Sequence, residues 1–493
     1  MSRSRPFVAA LLCLLGVVPC ASFAADDVAS LRAELEALKQ EYSSRVSALE
    51  SRINQMAATQ GSPPPAAAPN AAADQSAEAL AASLAADAAR SGAAAPSGPP
   101  ESAAPSAGGG RGGPAAFNPA ISMILAGRYS NLSADPASYR IAGFLPNDGD
   151  VGPGERSFNL GESELTVAAN VDPYFFANVT ASITGNNEVA VEEAYFRTLA
   201  LHDGFTMKGG RFFSGLGYLN EIHAHAWDFV DQPLVYQAFF GSQLTQDGLQ
   251  VKWLAPTDTF MELGAEAGNG AGFPGNHRDR NGLNGTTLFA HLGGDIGDST
   301  SWRTGLSWND AHADDRAYLD TDQLGLPVEN AFTGSSRTWV VDALMKWSPN
   351  GDSTHRQLKL QGEYMQRTED GRLAFDTTGA DLDGNYRSRQ SGWYVQGVYL
   401  FQPRWRAGVR YDSLDSGQPR IGLVQAGTLP RSAFPTLLSA SPDRLTVMLD
   451  WSPSEFSRLR AQYAWDEARL DQNDRQFFIQ YLYSIGAHGA HKF

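Results

Sequence analysis

From Phe117 onward apolar and polar residues alternate one by one, and this two-residue period constrains the fold more than any other feature of the chain. Trp339, Val341, Ala343, Met345 and Trp347 alternate with Thr338, Asp342 and Lys346. Leu445, Val447, Leu449 and Trp451 alternate with Arg444, Thr446 and Asp450, and Phe175, Ala177, Val179, Ala181 and Ile183 with Asn178, Thr180, Ser182 and Thr184. A soluble β-sandwich would alternate in the same way, so aromatic placement and loop lengths must decide. Trp339 with Trp347, Trp393 with Phe401, and Trp405 with Tyr411 bracket apolar stretches on one face. Eight residues at ~3.3 Å each, tilted by ~40°, rise roughly 20 Å, close to the apolar band between the two aromatic girdles of a membrane barrel.

Sixteen such segments can be counted, near residues 119–131, 157–171, 174–185, 189–200, 205–215, 247–256, 259–270, 286–298, 300–311, 335–348, 355–370, 390–402, 404–415, 442–452, 457–468 and 474–493. Every second connection is short and turn-like: Asp172-Pro173, His202-Asp203-Gly204, Pro256-Thr257-Asp258, Gly297-Asp298-Ser299, Ser348-Pro349-Asn350-Gly351, Gln402-Pro403 and Ser452-Pro453-Ser454. Most of the others are long. Tight turns at one end and long loops at the other are the signature of an outer-membrane barrel. The expected fold is therefore all-β: a 16-stranded antiparallel transmembrane β-barrel over residues 117–493, preceded by a helical coiled-coil segment. The final segment sets Phe477, Ile479, Tyr481, Tyr483 and Ile485 on one face and ends at Phe493. A terminal Phe there resembles the insertion signal read by the barrel-assembly machinery, which becomes an expected partner together with outer-membrane lipid.

What precedes the barrel is built differently. Arg3 and Arg5, the apolar run 7–18 and Ser22-Phe23-Ala24 read as an export signal, so residues 1–25 are assigned to a signal peptide. Both cysteines, Cys13 and Cys20, lie inside it, so disulfides and cysteine catalysis drop out of the mature chain. Over residues 26–56, Leu31, Leu35, Leu38, Tyr42, Leu49, Ile53 and Met56 step by three or four, or by seven across Arg45, which breaks the seam. A lone helix of that length has nothing else to bury its stripe, so a periplasmic oligomerisation stalk, compatible with a homotrimer, is expected. Residues 57–116 are almost wholly Ala, Pro, Gly and Ser and read as a linker. After the signal, no apolar run reaches the ~18–20 residues of a membrane helix. A net charge of −16 without a basic cluster argues against nucleic acid.

With the apolar face turned to lipid, the other face lines the lumen. Early strands contribute Glu162, Glu164, Glu262 and Glu266. Later ones contribute Arg303, Lys346, Lys359, Arg367, Arg406, Arg410, Arg444, Arg458 and Arg460, with Asp342, Asp412 and Asp450 among them. The expectation is an acidic wall facing a basic wall, and a transverse field between them. Two neighbours break the parity: Glu192-Glu193, and Lys208 with Arg211, cannot all face inward on regular strands. Much of the acidic excess falls at 310–322, expected to be a long outer loop.

The connection at 216–246 is the third on the long side, the one that folds inward as a constriction in general porins. It holds His223-Ala224-His225, with Asp228 and Asp231 following. An extended His-x-His places both imidazoles on one side, and with the two carboxylates it offers the ligand types of zinc, the cofactor candidate here. A polar loop bonded to the lumen wall, with Trp227 and Phe229 as packing anchors, would use the same residues. His277, His312 and Asp314 in the next two loops could add ligands.

Six stretches carry a family resemblance: Phe117-Asn118-Pro119-Ala120-Ile121-Ser122, Gly161-Glu162-Ser163-Glu164-Leu165, Val191-Glu192-Glu193-Ala194-Tyr195, Gly210-Arg211-Phe212, Gly217-Tyr218-Leu219-Asn220 and His223-Ala224-His225-Ala226-Trp227-Asp228-Phe229. Over roughly residues 117–275 the chain resembles a proteobacterial family labelled zinc-regulated, TonB-dependent outer-membrane receptors. The resemblance implies an outer-membrane location and a connection to zinc. The TonB-dependent label implies a 22-stranded barrel around a folded plug, whereas this chain offers sixteen strands and a linker. The leading expectation is thus an outer-membrane porin-like channel for passive diffusion of small hydrophilic or charged solutes. The alternative is a zinc-binding or metal-binding uptake receptor using the His-x-His loop. No nucleophile–base pair stands out, so an enzyme is not expected.

Overall fold

The computed structural model describes residues 119–146, 151–185, 188–277, 280–321, 325–470 and 472–486. The signal segment, the coiled coil, the linker and Phe493 lie outside them. Alternation becomes strand throughout: β1 (Ala120–Leu132), β2 (Ser157–Leu160), β3 (Ser163–Asn170), β4 (Phe175–Ile183), β5 (Val189–Thr198), β6 (Phe205–Phe213), β7 (Thr245–Leu254), β8 (Phe260–Gly268) and β9 (Gly285–Ile296). Then follow β10 (Thr300–Thr321), β11 (Pro327–Trp347), β12 (Gln357–Phe375), β13 (Leu382–Gln402), β14 (Trp405–Asp415), β15 (Arg420–Ile421), β16 (Asp443–Ser454), β17 (Ser457–Arg469) and β18 (Gln472–Gly486).

All pairings are antiparallel, and β1 closes the sheet on β18 from Ser122↔Gly486 to Leu132↔Gln476. Closure gives every stave a hydrogen-bonded neighbour on each side, so no stave is the edge of the sheet. Both β2 and β3 pair with β1, as two halves of one stave broken at Gly161-Glu162, while β15 is a two-residue flap on β13. The 18 labelled strands therefore make 16 staves.

The outward face is the one expected. Trp339, Val341, Leu445, Leu449 and Val179 are exposed, whereas Asp342, Arg444, Thr446 and Asn178 between them are buried. Trp405 stacks on Trp451 at 5.8 Å near the tight turns, and Trp393 meets Tyr411 at 5.6 Å further along the strands. An apolar belt with aromatic pairs at two heights and arginines inside is the inside-out arrangement that lipid requires.

Two features differ from expectation. The strands β10 to β13 run for 22, 21, 19 and 21 residues, about twice what a bilayer needs. Residues 310–321 are thus the outer half of β10, not a loop. Their ladder persists because the inward side chains Tyr318, Val328, Phe332, Leu373, Phe375 and Tyr386 pack with Phe434 and Leu437 of the connection before β16. The interior is also not polar throughout. Val340, Met365, Tyr394 and Leu414, all on the inner face, join Tyr139 and Phe144 from the first connection and a run of loop side chains in one buried apolar cluster. Those inner positions are apolar because they receive the third long-side loop.

Candidate functional site: the inserted third loop

Residues 214–244 leave β6 and return at β7, and most of them are buried inside the barrel while none is exposed. The loop starts on Glu266, whose carboxylate accepts from the Ser214 hydroxyl at 2.6 Å and the Gly215 amide at 2.8 Å. Its next turn is held by Glu363 on β12, which accepts from the amides of Tyr218 at 3.3 Å and Leu219 at 3.0 Å. The hydroxyls of Tyr236 and Tyr394 donate to the same carboxylate at 2.8 and 2.7 Å. Gly217 sits there with φ +68°, and a β-carbon would run into Glu363 and the Tyr236 hydroxyl.

The far half of the loop is a short helix, α1 (Leu234–Phe240), with all seven side chains buried. The wall serves both its ends. Asp412 accepts from the Leu234 amide at 2.9 Å, and Arg367 donates to the carbonyls of Ala238 and Phe239 at 3.1 and 3.2 Å. A carboxylate at the N-terminus and a guanidinium at the C-terminus match the helix dipole.

Between turn and helix, the loop carries its own charges to two walls. Asp228 meets Lys359 at 2.9 Å and Arg406 at 3.0 Å, and Asp231 meets Arg410 at 3.0 Å and Arg444 at 2.7 Å. Arg460 donates to the Trp227 carbonyl at 2.9 Å, and Gln462 donates to Asp231 at 2.8 Å. Burial alone would raise the pKa of both loop aspartates, but Lys359 and Arg406 hold Asp228, and Arg444 and Arg410 hold Asp231, below the usual carboxylate value.

On the other side, His223 Nδ1 lies 3.2 Å from both Glu164 Oε2 and Glu192 Oε2, and its Nε2 lies 3.1 Å from Glu193 Oε2. His225 Nδ1 lies 2.8 Å from Glu164 Oε1, and the two imidazoles stack at 5.8 Å. Burial would lower the His223 pKa, yet hydrogen bonds to Glu164, Glu192 and Glu193 override it and leave the group well above the ordinary histidine value. The parity conflict at Glu192-Glu193 resolves here. Thr180 pairs with Glu193 and Ala181 with Val191, so Glu192 is the extra residue of a β-bulge, and both carboxylates reach the loop.

The histidines and aspartates expected to share a metal are therefore divided. Asp228 and Asp231 serve cations of the late strands; His223 and His225 meet glutamates of β3 and β5. Asp314 pairs with Arg280 at 2.7 Å. Bare acidic and basic walls across an open lumen are also not what the loop leaves, since Lys359, Arg406, Arg410 and Arg444 already carry its carboxylates. Lys346 stands in register with Lys359, and Arg458 reaches the carbonyls of His225 and Trp227 at 3.4 and 3.5 Å. Arg303 donates to the Gly217 carbonyl at 3.2 Å, and Glu262 holds His291 at 3.1 Å and Lys252 at 3.3 Å. Glu162 is exposed to a cavity of about 1000 Å³, whose lining includes Arg128, Glu192, Arg211, Phe213 and Asp247. The open space thus lies on the early-strand side. Glu363, which organises the loop, carried no functional expectation, and Asp412 only that of a lumen charge. Their signal was an acidic residue on an inner face beside apolar ones.

No family model matches the chain. Among solved structures, it is similar to a loop-deletion mutant of OmpT, an outer-membrane protein of Vibrio cholerae, at 11% identity and TM-score 0.44, covering 74% of this chain and 99% of that one. It is likewise similar to the outer-membrane channel DcaP of Acinetobacter baumannii, at 12% identity and TM-score 0.44, covering 76% and 99%. An uncharacterized protein of Aquifex aeolicus (strain VF5) is 31% identical over 408 residues, 77% of this chain and 80% of that protein, and the chain belongs to one family with it.

Proposed function

We propose that the protein is a bacterial outer-membrane channel through which small hydrophilic or charged solutes diffuse passively, with residues 26–56 forming a periplasmic stalk of a trimer. The observation that supports this reading most is an inward-folded loop that narrows a closed, lipid-compatible barrel to a water-facing cavity of about 1000 Å³ on the side of β1 to β7. In a barrel of 16 staves the lumen would otherwise be wide. The loop and the apolar cluster block the late-strand half, so solutes pass between Arg128, Glu162, Glu192, Arg211 and Asp247. Mixed charge around one narrow path favours small polar solutes over large or apolar ones. Reconstitution into planar bilayers tests the proposal: discrete conductance steps are expected, and a protein that inserts but gives none removes it.

A second reading, an uptake receptor for metal ions, is favoured by the convergence of His223 and His225 on three glutamates beside that same cavity. It predicts that liposomes containing the protein accumulate a divalent metal that protein-free liposomes exclude. Equal accumulation in both would exclude the receptor.

A further inference from the structure

We infer that Glu164, Glu192 and His223 form a binding site for one divalent transition-metal ion, with Glu193 and His225 as its outer shell. The inference goes beyond the channel reading and deepens the receptor reading, on which it rests, by naming the ligands and the class of ion.

Geometry carries it. One ligand atom each from Glu164, Glu192 and His223 lies within 4.8 Å of the other two. The two separations measured from His223 Nδ1 are both 3.2 Å. Two ligands bonded at about 2.0–2.1 Å with tetrahedral angles stand roughly 3.3 Å apart, so the nitrogen lies about one such edge from each oxygen, and the two oxygens lie within 4.8 Å of each other. A calcium or magnesium site would instead present oxygens only, and more of them.

The surroundings are those of a metal site as well. Glu193 Oε2, 3.1 Å from His223 Nε2, is placed to accept the Nε2 proton, so Nδ1, which faces Glu164 and Glu192, becomes a ligand once an ion displaces its proton. His225 holds the other oxygen of Glu164 at 2.8 Å, which fixes that carboxylate's orientation. Phe213 packs edge-on to the His223 ring at 5.0 Å and stiffens the third ligand.

Access and charge agree. Glu192 and Phe213 both border the cavity of about 1000 Å³, which supplies an entry path and room for a water as the fourth ligand. Glu162 borders it too, and three carboxylates, those of Glu164, Glu192 and Glu193, surround the two imidazoles. The ligands come from three distant stretches of chain: Glu164 follows the break between β2 and β3, Glu192 is the bulge of β5, and His223 belongs to the inserted loop. Two interruptions of the ladder re-aim the two carboxylates that flank one histidine nitrogen. With an ion in place, the loop would be cross-linked to the early-strand wall beside the cavity.

Isothermal titration of the full-length protein in detergent with zinc, and visible absorption with cobalt, test the site. One saturable ion per chain is expected, with a cobalt spectrum of tetrahedral type and no competition from millimolar magnesium or calcium. His223→Gln and the near-isosteric Glu192→Gln should each weaken binding by 100-fold or more, and Glu193→Gln by about 10–100-fold. Heat-modifiable migration on gels confirms that each variant retains its barrel. Unchanged affinity in a His223→Gln, Glu192→Gln double variant, or absence of saturable binding by the wild type, overturns the site. A protein that binds zinc with these ligands but leaves liposomal accumulation at the protein-free level keeps the site and removes the receptor reading.

Discussion

Asp231 shows how much of this molecule turns on single charges. It is largely buried between Arg410 and Arg444, with Gln462 completing its shell. Removing one member of a buried ion cluster strands the others and costs about 3–5 kcal/mol, so Asp231→Asn should release the middle of the loop without opening the barrel. The pH dependence follows from the direction of its shift. The folded carboxyl titrates below its unfolded value of about 3.9. Its contribution is therefore complete above that value and lost as the pH falls through the lower folded one. The hydrogen-exchange protection factors of the peptide 228–240 should be high and unchanged from pH 7 to 5 and fall only below about pH 4. Loss between pH 7 and 5 would assign the anchor to another group. At this scale the sequence was partly readable. It marked His223, His225, Asp228 and Asp231 as one group, because residues close along a loop look like neighbours. The folded loop turns the histidines and aspartates to different walls, and that depends on partners about 30 to more than 200 residues away.

At the scale of elements, strands were legible and the inserted loop was not. Alternation marks a strand wherever one face meets lipid, and all sixteen segments appear, with β10 to β13 longer than read. The helix α1 escaped notice because Leu-Val-Tyr-Gln-Ala-Phe-Phe has no polar face to give a helical period. Its burial partners, Val340, Met365, Tyr394 and Leu414, break the rule that the inner face is polar, and that violation is the mark such a loop leaves on the wall. Fully buried side chains such as Leu234 and Phe239 contribute about 1.5–3 kcal/mol each. Gly217 is the hinge of this element. Gly217→Ala combines a left-handed backbone, costing about 1–2 kcal/mol, with displacement of Glu363. It should raise protease sensitivity within 214–244 while the melting temperature of the barrel stays unchanged. A loop as resistant as the wild type's would show that the turn does not depend on this glycine.

At the scale of the whole molecule, a barrel of sixteen staves surrounds an interior divided between an apolar cluster and an open cavity on the early-strand side. The net charge of −16 argued only against nucleic acid, yet within the barrel acid and base are matched locally. Lys359, Arg406, Arg410 and Arg444 answer the loop's aspartates, and Glu164, Glu192 and Glu193 answer its histidines. The central claim is that the third loop sets the width of a conducting path. Single-channel recording of the wild type beside a variant with residues 221–240 replaced by a short Gly-Ser linker tests it most directly. The account predicts small discrete steps for the wild type and several-fold larger ones for the variant. Equal step sizes, or a silent variant that still inserts as a barrel, would contradict it.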